Sequence, residues 1–457
     1  MTGLLLLQTA AERLAQAREG LDLSIPERLV GLLGIAVMLG IAVLLSYDRR
    51  KINWRLVGTG LGLQAIFGVI VLKTAPGQAF FRIVGDFITR LLGFQEQGAR
   101  FVFGNLVHSN VPVGVTSPTG ELDATAGLVA NTGAFFAFSV LPTIIFFSSL
   151  MSVLYYLGVM QLVVKGIAWV MQKTLRTSGA ETLSASGNIF LGQTEAPLLI
   201  KPFVKTFTQS ELITVMVGGF ATVAGGVLAA YVGMLQGSFP GIASHLLAAS
   251  VMNAPAGLIL SKILLPETEV PATRDSLHLH VEKTESNVIE AAAGGAATGL
   301  TLALNVAAML MAFVALIALL NAILGGLGGL VGIENLSLQL ILGTLLRPLA
   351  WVMGVPWADT AYVGSLIGIK TSLNEFVAYA QFAGDLAGPL AISPRSAVIL
   401  TYALLGFANF SSIAIQIGGI GGLAPERRSE IARFGIRAMI AGNLAAFMSA
   451  SLAGMLL

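Results

Sequence analysis

The chain has 457 residues, of which 55% are hydrophobic and only 11% are charged, and its formal net charge is +2. A typical soluble domain carries about 25% charged residues, so this composition, with a mean hydropathy of +0.83, indicates a polytopic integral membrane protein. The small net charge gives no indication of a nucleic-acid partner. The absence of cysteine excludes disulfides, thiolate metal sites and cysteine nucleophiles.

The N-terminal part is predicted to form spans joined by interfacial segments. Residues 1–28 carry several charges and are expected to lie on the membrane surface, because their apolar run is too short for a signal peptide. Residues 30–47 are uncharged and precede a basic cluster, which predicts a span with its basic end inside, and residues 56–72 return across the membrane. Over residues 74–92 apolar and charged residues alternate at helical spacing, which predicts an interfacial helix. A polar external loop is expected to follow, as far as residue 126.

A long span and a second surface helix are predicted next. Residues 124–164 contain no charge and are long enough for a tilted span, with a kink at Pro142. Over residues 160–176 basic residues lie beside apolar ones, which indicates a helix on the membrane surface.

The sequence Gly-Gln-Thr-Glu-Ala-Pro at residues 192–197 separates two short apolar runs. The charge-free stretch of residues 182–194 has 13 residues, whereas a simple span needs about 20. We therefore predict a re-entrant hairpin with Glu195 at its tip, where polar backbone is tolerated only against protein or a water-filled cavity. A carboxylate at this depth indicates a functional site. The alternative is an ordinary loop outside the membrane between two weakly defined spans.

After this first hairpin, the chain is predicted to contain further spans and a second hairpin. They are two glycine-weakened spans (212–261), a charged cytoplasmic loop (266–290), a long span (291–333), a second hairpin (359–385) and two final spans (396–425 and 438–457). The uncharged arms of the second hairpin, ten and nine residues long, are again too short to cross a bilayer.

An internal repeat relates the two halves. The sequence Ile-Ala-Trp-Val-Met around Trp169 recurs as Leu-Ala-Trp-Val-Met around Trp351. Glu195 follows the first tryptophan by 26 residues, and Glu375 follows the second by 24. The tetrapeptide Gly-Phe-Ala-Thr then recurs as Gly-Phe-Ala-Asn. Because an odd number of crossings separates them, the halves are predicted to be inverted, and paired interrupted segments indicate a transporter's binding site.

Polar residues at the hairpin tips and the weakened spans are the candidates for that site. At the second tip, Lys370 and Glu375 are candidates for contact with a ligand; the alternative, which is compatible with ligand binding, is that they pair with each other to hold two helices together. Freed carbonyls beside Thr222, with Asn188 facing it, predict an oxygen cage for a small cation. The alternative for Thr222 and Ser411 is a hydroxyl bonded back to its own helix.

The sequence shows no basis for an enzyme. His278 and His280 lie in the charged loop, His108 and His245 stand alone, and Ser, His and Asp are not grouped for nucleophilic catalysis. A transporter of amino acids or carboxylates is a further alternative, but neither hairpin tip offers a free arginine for an anion.

Three motifs in order carry a resemblance to a known family: Gly-Gln-Thr-Glu-Ala-Pro (192–197), Asn-Glu-Phe-Val-Ala-Tyr (374–379) and Gly-Phe-Ala-Asn-Phe-Ser-Ser (406–412). The chain resembles the concentrative nucleoside transporters in their shorter bacterial form, over residues 29–457. With the patterns above, this implies an all-α integral membrane protein with about eight transmembrane helices, two re-entrant helical hairpins, interfacial helices and an inverted internal repeat.

The resemblance also implies a homotrimer in which a transport domain moves against a scaffold. The expected division is a surface segment (1–28), a first scaffold part (29–158), transport repeat 1 (159–265), a cytoplasmic loop (266–290), a scaffold span (291–335) and transport repeat 2 (336–457).

Eight positions match the family's substrate residues. Those implied to contact the nucleobase are Gln193, Thr194, Glu195 (through water) and Val227. Those implied to hold the ribose are Glu375, Asn409, Ser412 and Phe407. This agrees with side-chain chemistry, because an amide complements a base edge and a carboxylate accepts from two vicinal hydroxyls.

In sodium-coupled members the ion lies between the first hairpin and the first broken span. The matching positions are Asn188 and Thr222 by side chain and Leu191 and Val223 by carbonyl. Thr222 stands where a serine is usual, which keeps the hydroxyl. Proton-coupled members also exist, with Glu195 or Glu375 as possible carriers, so proton coupling is the alternative.

We therefore expect a sodium-driven symporter that imports nucleosides of the uridine, cytidine and adenosine class. It is expected to lie in the cytoplasmic (inner) membrane as a multi-pass protein, with no nucleic-acid partner.

Overall fold

A computed structural model describes residues 25–108, 110–116, 122–131, 136–274, 285–330, 332–333, 335–388 and 392–456. Most of the predicted surface segment 1–28 lies outside the described residues, as do His278 and His280 of the charged loop.

The part before the first repeat is mainly helical. Its helices are α1 (Ile25–Leu44), α2 (Trp54–Lys73), α3 (Ala75–Phe103) and α4 (Leu141–Tyr156). Strands β1 (Asn110–Thr116) and β2 (Leu122–Asn131) form an antiparallel hairpin between α3 and α4, a small addition to an otherwise helical fold.

Two predicted boundaries in this part are wrong. The predicted end of α3 near residue 92 is too early, because Gln95 and Ala99 continue its buried face and Thr143 Oγ1 donates a hydrogen bond to Gln95 Oε1 (3.1 Å). The polar loop is correspondingly shorter and contains the β hairpin. The following span begins at Ala137 rather than at residue 124, because β2 occupies residues up to 131. Pro142 is the second residue of α4 and directly follows a π-helical turn (Phe136–Val140), so it lies inside the helical segment Ala137–Tyr156; the kink there stays a prediction.

The rest of the chain contains the same elements twice, which confirms the predicted repeat. The first repeat comprises α5 (Val159–Leu175), α6 (Gly179–Gly187), a 3₁₀ segment (Ala196–Thr206), α7 (Gln209–Ala221), α8 (Gly225–Leu235) and α9 (Ile242–Leu264). After α10 (Val288–Leu330), the second comprises α11 (Leu338–Val352), α12 (Thr360–Ser372), α13 (Glu375–Ala387), α14 (Pro394–Leu404), α15 (Phe410–Leu423) and α16 (Arg428–Leu456). Helix α16 starts ten residues before the predicted last span and includes the basic residues that precede it.

Seven helical segments of the described residues are long and apolar enough to cross a membrane, and the interrupted pair α14–α15 corresponds to α7–α8 in the other repeat. The segments divide into two classes by burial. In the Gln209–Leu235 segment 94% of the apolar window is buried inside the protein, against 6% in Val288–Leu330. Helices α7, α8 and α9 therefore form the interior, whereas α10 presents its apolar surface outward.

Candidate functional site

The first hairpin carries a short polar tip. Its first arm, α6, begins at a capping box in which Ser178 and Glu181 satisfy each other's backbone N–H groups. The second arm starts at Ala196, with Pro197 in its first turn. Between the arms, Gly192 N donates to Glu195 Oε2 (3.2 Å), which closes the tip on itself. The tip also contacts the first helix break, because Gly225 N donates to Phe190 O (2.8 Å).

The second hairpin turns at Asn374, whose side chain caps α13 by accepting from Val377 N (2.8 Å). The next residue, Glu375, is 4% exposed and accepts two hydrogen bonds. One comes from Tyr231 of the first repeat, whose hydroxyl donates to Oε1 (3.1 Å). The other comes from Asn409 at the second helix break, whose Nδ2 donates to Oε2 (2.8 Å). Glu375 thus joins three elements at one point.

The two helix breaks lie directly against each other. Phe407 N donates to Thr222 O (3.2 Å) across the repeat interface. Gly406 has a φ of 120°, and a Cβ there would lie 2.7 Å from Phe220 O. The first glycine of the Gly-Phe-Ala-Asn motif therefore permits both an unusual backbone conformation and the close approach of the two repeats.

A chain of side-chain amides connects the first hairpin to the second break. Gln193 Nε2 donates to Ser412 Oγ (3.1 Å), and Gln416 Nε2 donates to Gln193 Oε1 (3.1 Å) and to Met216 O (3.0 Å). Asn409 caps α15 by accepting from Ser412 N (2.9 Å). The polar groups of both repeats therefore belong to one network that fixes their orientation.

All eight predicted substrate residues line one cavity of about 420 Å³. They are Gln193, Thr194, Glu195, Val227, Glu375, Phe407, Asn409 and Ser412. The volume is in the range of small-molecule sites, and the lining combines a few convergent polar groups with apolar surface, as such sites do. The outer helix α10 closes one side with Thr301, Asn305 and Met309, a contribution that the sequence motifs did not predict.

A larger vestibule of about 790 Å³ adjoins this cavity and shares Glu195, Ala224 and Thr298 with it. Its wall includes Lys201, Lys205 and Glu285, of which Glu285 belongs to the loop predicted to be cytoplasmic. The cavity and the vestibule therefore meet at Glu195 in the tip of the first hairpin.

The two side chains predicted to bind a cation, those of Asn188 and Thr222, both lie beside Gly218. Asn188 and Thr222 are buried, and Asn188 Nδ2 lies 3.2 Å from the position of a Cβ at Gly218. Both Oδ1 and Nδ2 of Asn188 lack a hydrogen-bond partner, whereas buried polar atoms are normally paired. Thr222 Oγ1 donates to Gly218 O (2.9 Å), so the alternative of a back-bonded hydroxyl is realised for this residue. Because a hydroxyl oxygen that donates can still accept, the back-bond leaves its lone pairs available.

Lys370 and Glu375, whose pairing was one interpretation of the sequence, do not form a salt bridge with each other in the described part of the chain. Lys370 Nζ instead donates to the carbonyls of Ala403 (2.8 Å) and Leu405 (3.3 Å) at the end of α14. Glu375 is satisfied by Tyr231 and Asn409, as described above.

Sequence reasoning missed two asparagines that support the breaks. Asn253 Nδ2 donates to Ala221 O (2.7 Å) at the first break, and Asn443 Nδ2 donates to Ala408 O (2.8 Å) at the second. They come from α9 and α16, the final helix of each repeat. The available signal was a lone buried amide in an otherwise apolar span at matching places in both halves.

Interrupted helices, paired hairpins and a polar cavity between two repeats of a membrane-spanning bundle define a secondary transporter. The chain belongs to the Na⁺-dependent nucleoside transporter family. Residues 33–106 match the family's N-terminal model, residues 245–454 its C-terminal model and residues 137–238 a nucleoside-recognition model.

Similar proteins are transporters and not enzymes. An uncharacterized transporter of Haemophilus influenzae is 46% identical over 431 residues, covering 93% of this chain and 97% of that protein. Sodium/nucleoside cotransporter 1 of Mus musculus is 44% identical over 94% of this chain, which spans 64% of the mouse protein. A structure of CNTnw in an inward-facing substrate-bound state is 45% identical, with a TM-score of 0.81 over 94% of this chain and 97% of that one. An outward-facing structure of a CNTnw variant has a TM-score of 0.84 over 95% and 98% of the two chains. The chain is thus a multi-pass membrane transporter, and structures of its relatives include both inward-facing and outward-facing states.

Proposed function

We propose that the protein imports nucleosides by symport with sodium, through alternating access of the two hairpin repeats. The observation that carries this proposal is the single cavity lined by both hairpin tips and both helix breaks. Its polar groups match a nucleoside, which presents an amide-like base edge at one end and a vicinal diol at the other.

The polar groups of the cavity suit the two parts of that solute. Gln193 offers an amide that both donates and accepts, with Thr194 and Glu195 beside it and Val227 for apolar contact with the base. For the ribose, Glu375 presents a carboxylate to the hydroxyls, and Asn409 and Ser412 add polar contacts beside the Phe407 ring. The proposed solutes are uridine, cytidine and adenosine.

The proposed sodium ligands are the side chains of Asn188 and Thr222 and the carbonyls of Leu191 and Val223. Hard oxygen donors of this kind suit a small cation. The unpaired Oδ1 of Asn188 supports this assignment, because a buried carbonyl oxygen without a donor is costly until a cation or a hydrogen bond satisfies it. An ion there would fix the first hairpin to the first break, and the nucleoside would then bind against an ordered tip.

The contrast in burial supports a moving domain and a scaffold. The buried repeats, 159–265 and 336–457, are proposed as the transport domain, and 29–158 with 291–335 as the scaffold. The outward apolar surface of α10, with Leu304 and Met311 exposed, requires lipid or a second subunit to cover it. We propose that the protein is a homotrimer in the cytoplasmic membrane, with the vestibule leading to the cytoplasm.

Uptake of labelled uridine into proteoliposomes tests the proposal. At constant pH, an inward sodium gradient is expected to drive accumulation that choline does not support. Equal uptake in the two salts would eliminate sodium coupling. Thermal stabilisation in detergent by uridine or adenosine, but not by amino acids, is expected to identify the solute class.

Proton coupling is the alternative that the same preparation resolves. An inward proton gradient in sodium-free buffer should leave uridine uptake at the passive level if sodium is the coupling ion. Uptake driven by that gradient would favour Glu195 or Glu375 as the proton carrier.

A further inference from the structure

Lys370 is a buried lysine whose amino group lies beside the second helix break. The residue is fully buried, which is unusual for lysine. Its Nζ donates to the carbonyls of Ala403 (2.8 Å) and Leu405 (3.3 Å) and lies 5.6 Å from the centre of the Phe447 ring. Helix α14 ends at Leu404, so the ammonium lies at the negative end of a helix, among carbonyls that lack an intrahelical donor.

Counted from the repeated tryptophans, Asn188 is the position of the first half that corresponds to Lys370. Asn188 lies 19 residues after Trp169, and Lys370 lies 19 residues after Trp351. Their neighbours across the interface also correspond. Gly218, beside the Asn188 amide, immediately precedes Gly-Phe-Ala-Thr, and Leu405, whose carbonyl binds Lys370 Nζ, immediately precedes Gly-Phe-Ala-Asn.

The two positions differ in the type of side chain and in whether its polar atoms have hydrogen-bond partners. In the first repeat a neutral amide faces the break with both of its polar atoms unpaired. In the second, a tethered cation already satisfies two carbonyls of the break. Both side chains thus lie beside the residue that precedes the break motif, Gly218 in the first repeat and Leu405 in the second.

We propose that Lys370 is the built-in cation of the second repeat, a positioning residue that holds the second hairpin to its helix break as sodium holds the first. The assignment rests on the proposed sodium site at Asn188. It follows that the second hairpin needs no ion to order Glu375, and that one sodium ion suffices for each nucleoside.

Two substitutions separate charge from space filling. Lys370→Met keeps the length of the side chain and removes the charge, so the carbonyls of Ala403 and Leu405 lose their donor. Lys370→Asn places the amide of the first repeat in the second and leaves room for an ion. Melting temperature in detergent and uridine binding are measured in sodium chloride and in choline chloride at equal ionic strength.

Lys370→Met is expected to melt below the wild type in both salts. Lys370→Asn is expected to be destabilised in choline and restored by sodium, with the Hill coefficient for sodium-dependent uridine binding rising from about one to about two. The control is Lys262→Asn, because Lys262 is also buried but is neutralised by Glu181 (Nζ to Oε2, 2.7 Å). Lys262→Asn should lower the melting temperature without raising the Hill coefficient for sodium-dependent uridine binding.

Wild-type melting of Lys370→Met, or a sodium response of Lys370→Asn no larger than that of the wild type, would overturn the proposal. A wild type that does not respond to sodium refutes the sodium site instead. The melting temperature of Lys370→Met in choline, relative to the wild type, then still tests whether the charge secures the second hairpin.

Discussion

Replacing Glu375 by glutamine tests the ribose end of the cavity while conserving its shape. In the protein, Glu375 accepts from Tyr231 and Asn409. A glutamine can keep its Oε1 toward Asn409 and turn its amino group toward Tyr231, whose hydroxyl can accept as well as donate. The fold is therefore expected to survive Glu375→Gln, and the trimer to assemble.

Transport is expected to fall because the charge is lost. A hydrogen bond to a charged group contributes ~1.5–3 kcal/mol and a neutral one ~0.5–1.5 kcal/mol. For two ribose hydroxyls the difference is ~2–3 kcal/mol, or roughly 30- to 150-fold in affinity. This estimate applies to the bound nucleoside, whose hydroxyls replace or join the two internal donors.

The assay combines labelled-uridine uptake in proteoliposomes with uridine-dependent melting in detergent. Glu96→Gln serves as the matched control, because Glu96 lies on α3 outside the cavity with its side chain half exposed. It should behave as the wild type in both assays. Normal uptake and normal uridine stabilisation by Glu375→Gln would remove Glu375 from the site and refute the reasoning.

Four further substitutions test the cation site and the breaks. Asn188→Ala should raise the sodium concentration for half-maximal uridine uptake by roughly tenfold or more, since a lost ligand worth ~1.4 kcal/mol has that effect; an unchanged sodium curve would exclude Asn188 as a ligand. Asn253→Leu and Asn443→Leu should each lower the free energy of unfolding by ~1–3 kcal/mol, because a buried carbonyl loses its donor; unaltered denaturation midpoints would contradict this. Gly406→Ala should lower the melting temperature through strain and a backbone clash, whereas Gly62→Ala, with open space around it, should not; equal melting of the two variants would argue against the close approach.

The hairpins and the repeat could be predicted from the sequence because they depend on distances along the chain. An uncharged stretch of 13 residues before Glu195 cannot cross a bilayer, and the recurrence around Trp169 and Trp351 requires no knowledge of packing. The motif residues from Gln193 to Ser412 were predicted through the family resemblance, and the structure places them around one cavity.

The C-terminal end of α3 and the β hairpin could not be predicted in this way. The sequence around Gln95 is polar, which indicates a loop, but the Gln95 side chain is buried against Thr143 of another helix. Packing against a distant element therefore decided where the helix continues, and charge and hydropathy along the chain contain no record of that contact.

The amino-acid sequence by itself determined that this protein is a membrane transporter with two hairpins, since span length and the position of polar residues are local properties. Only the tertiary structure decided which groups meet: Tyr231 and Asn409 on Glu375, Lys370 on the end of α14 and Gln416 on Gln193. The physical reason is that a buried polar atom is satisfied by whichever donor or acceptor packing brings within about 3 Å. In this fold that partner comes from the other repeat or from another helix, far away in sequence.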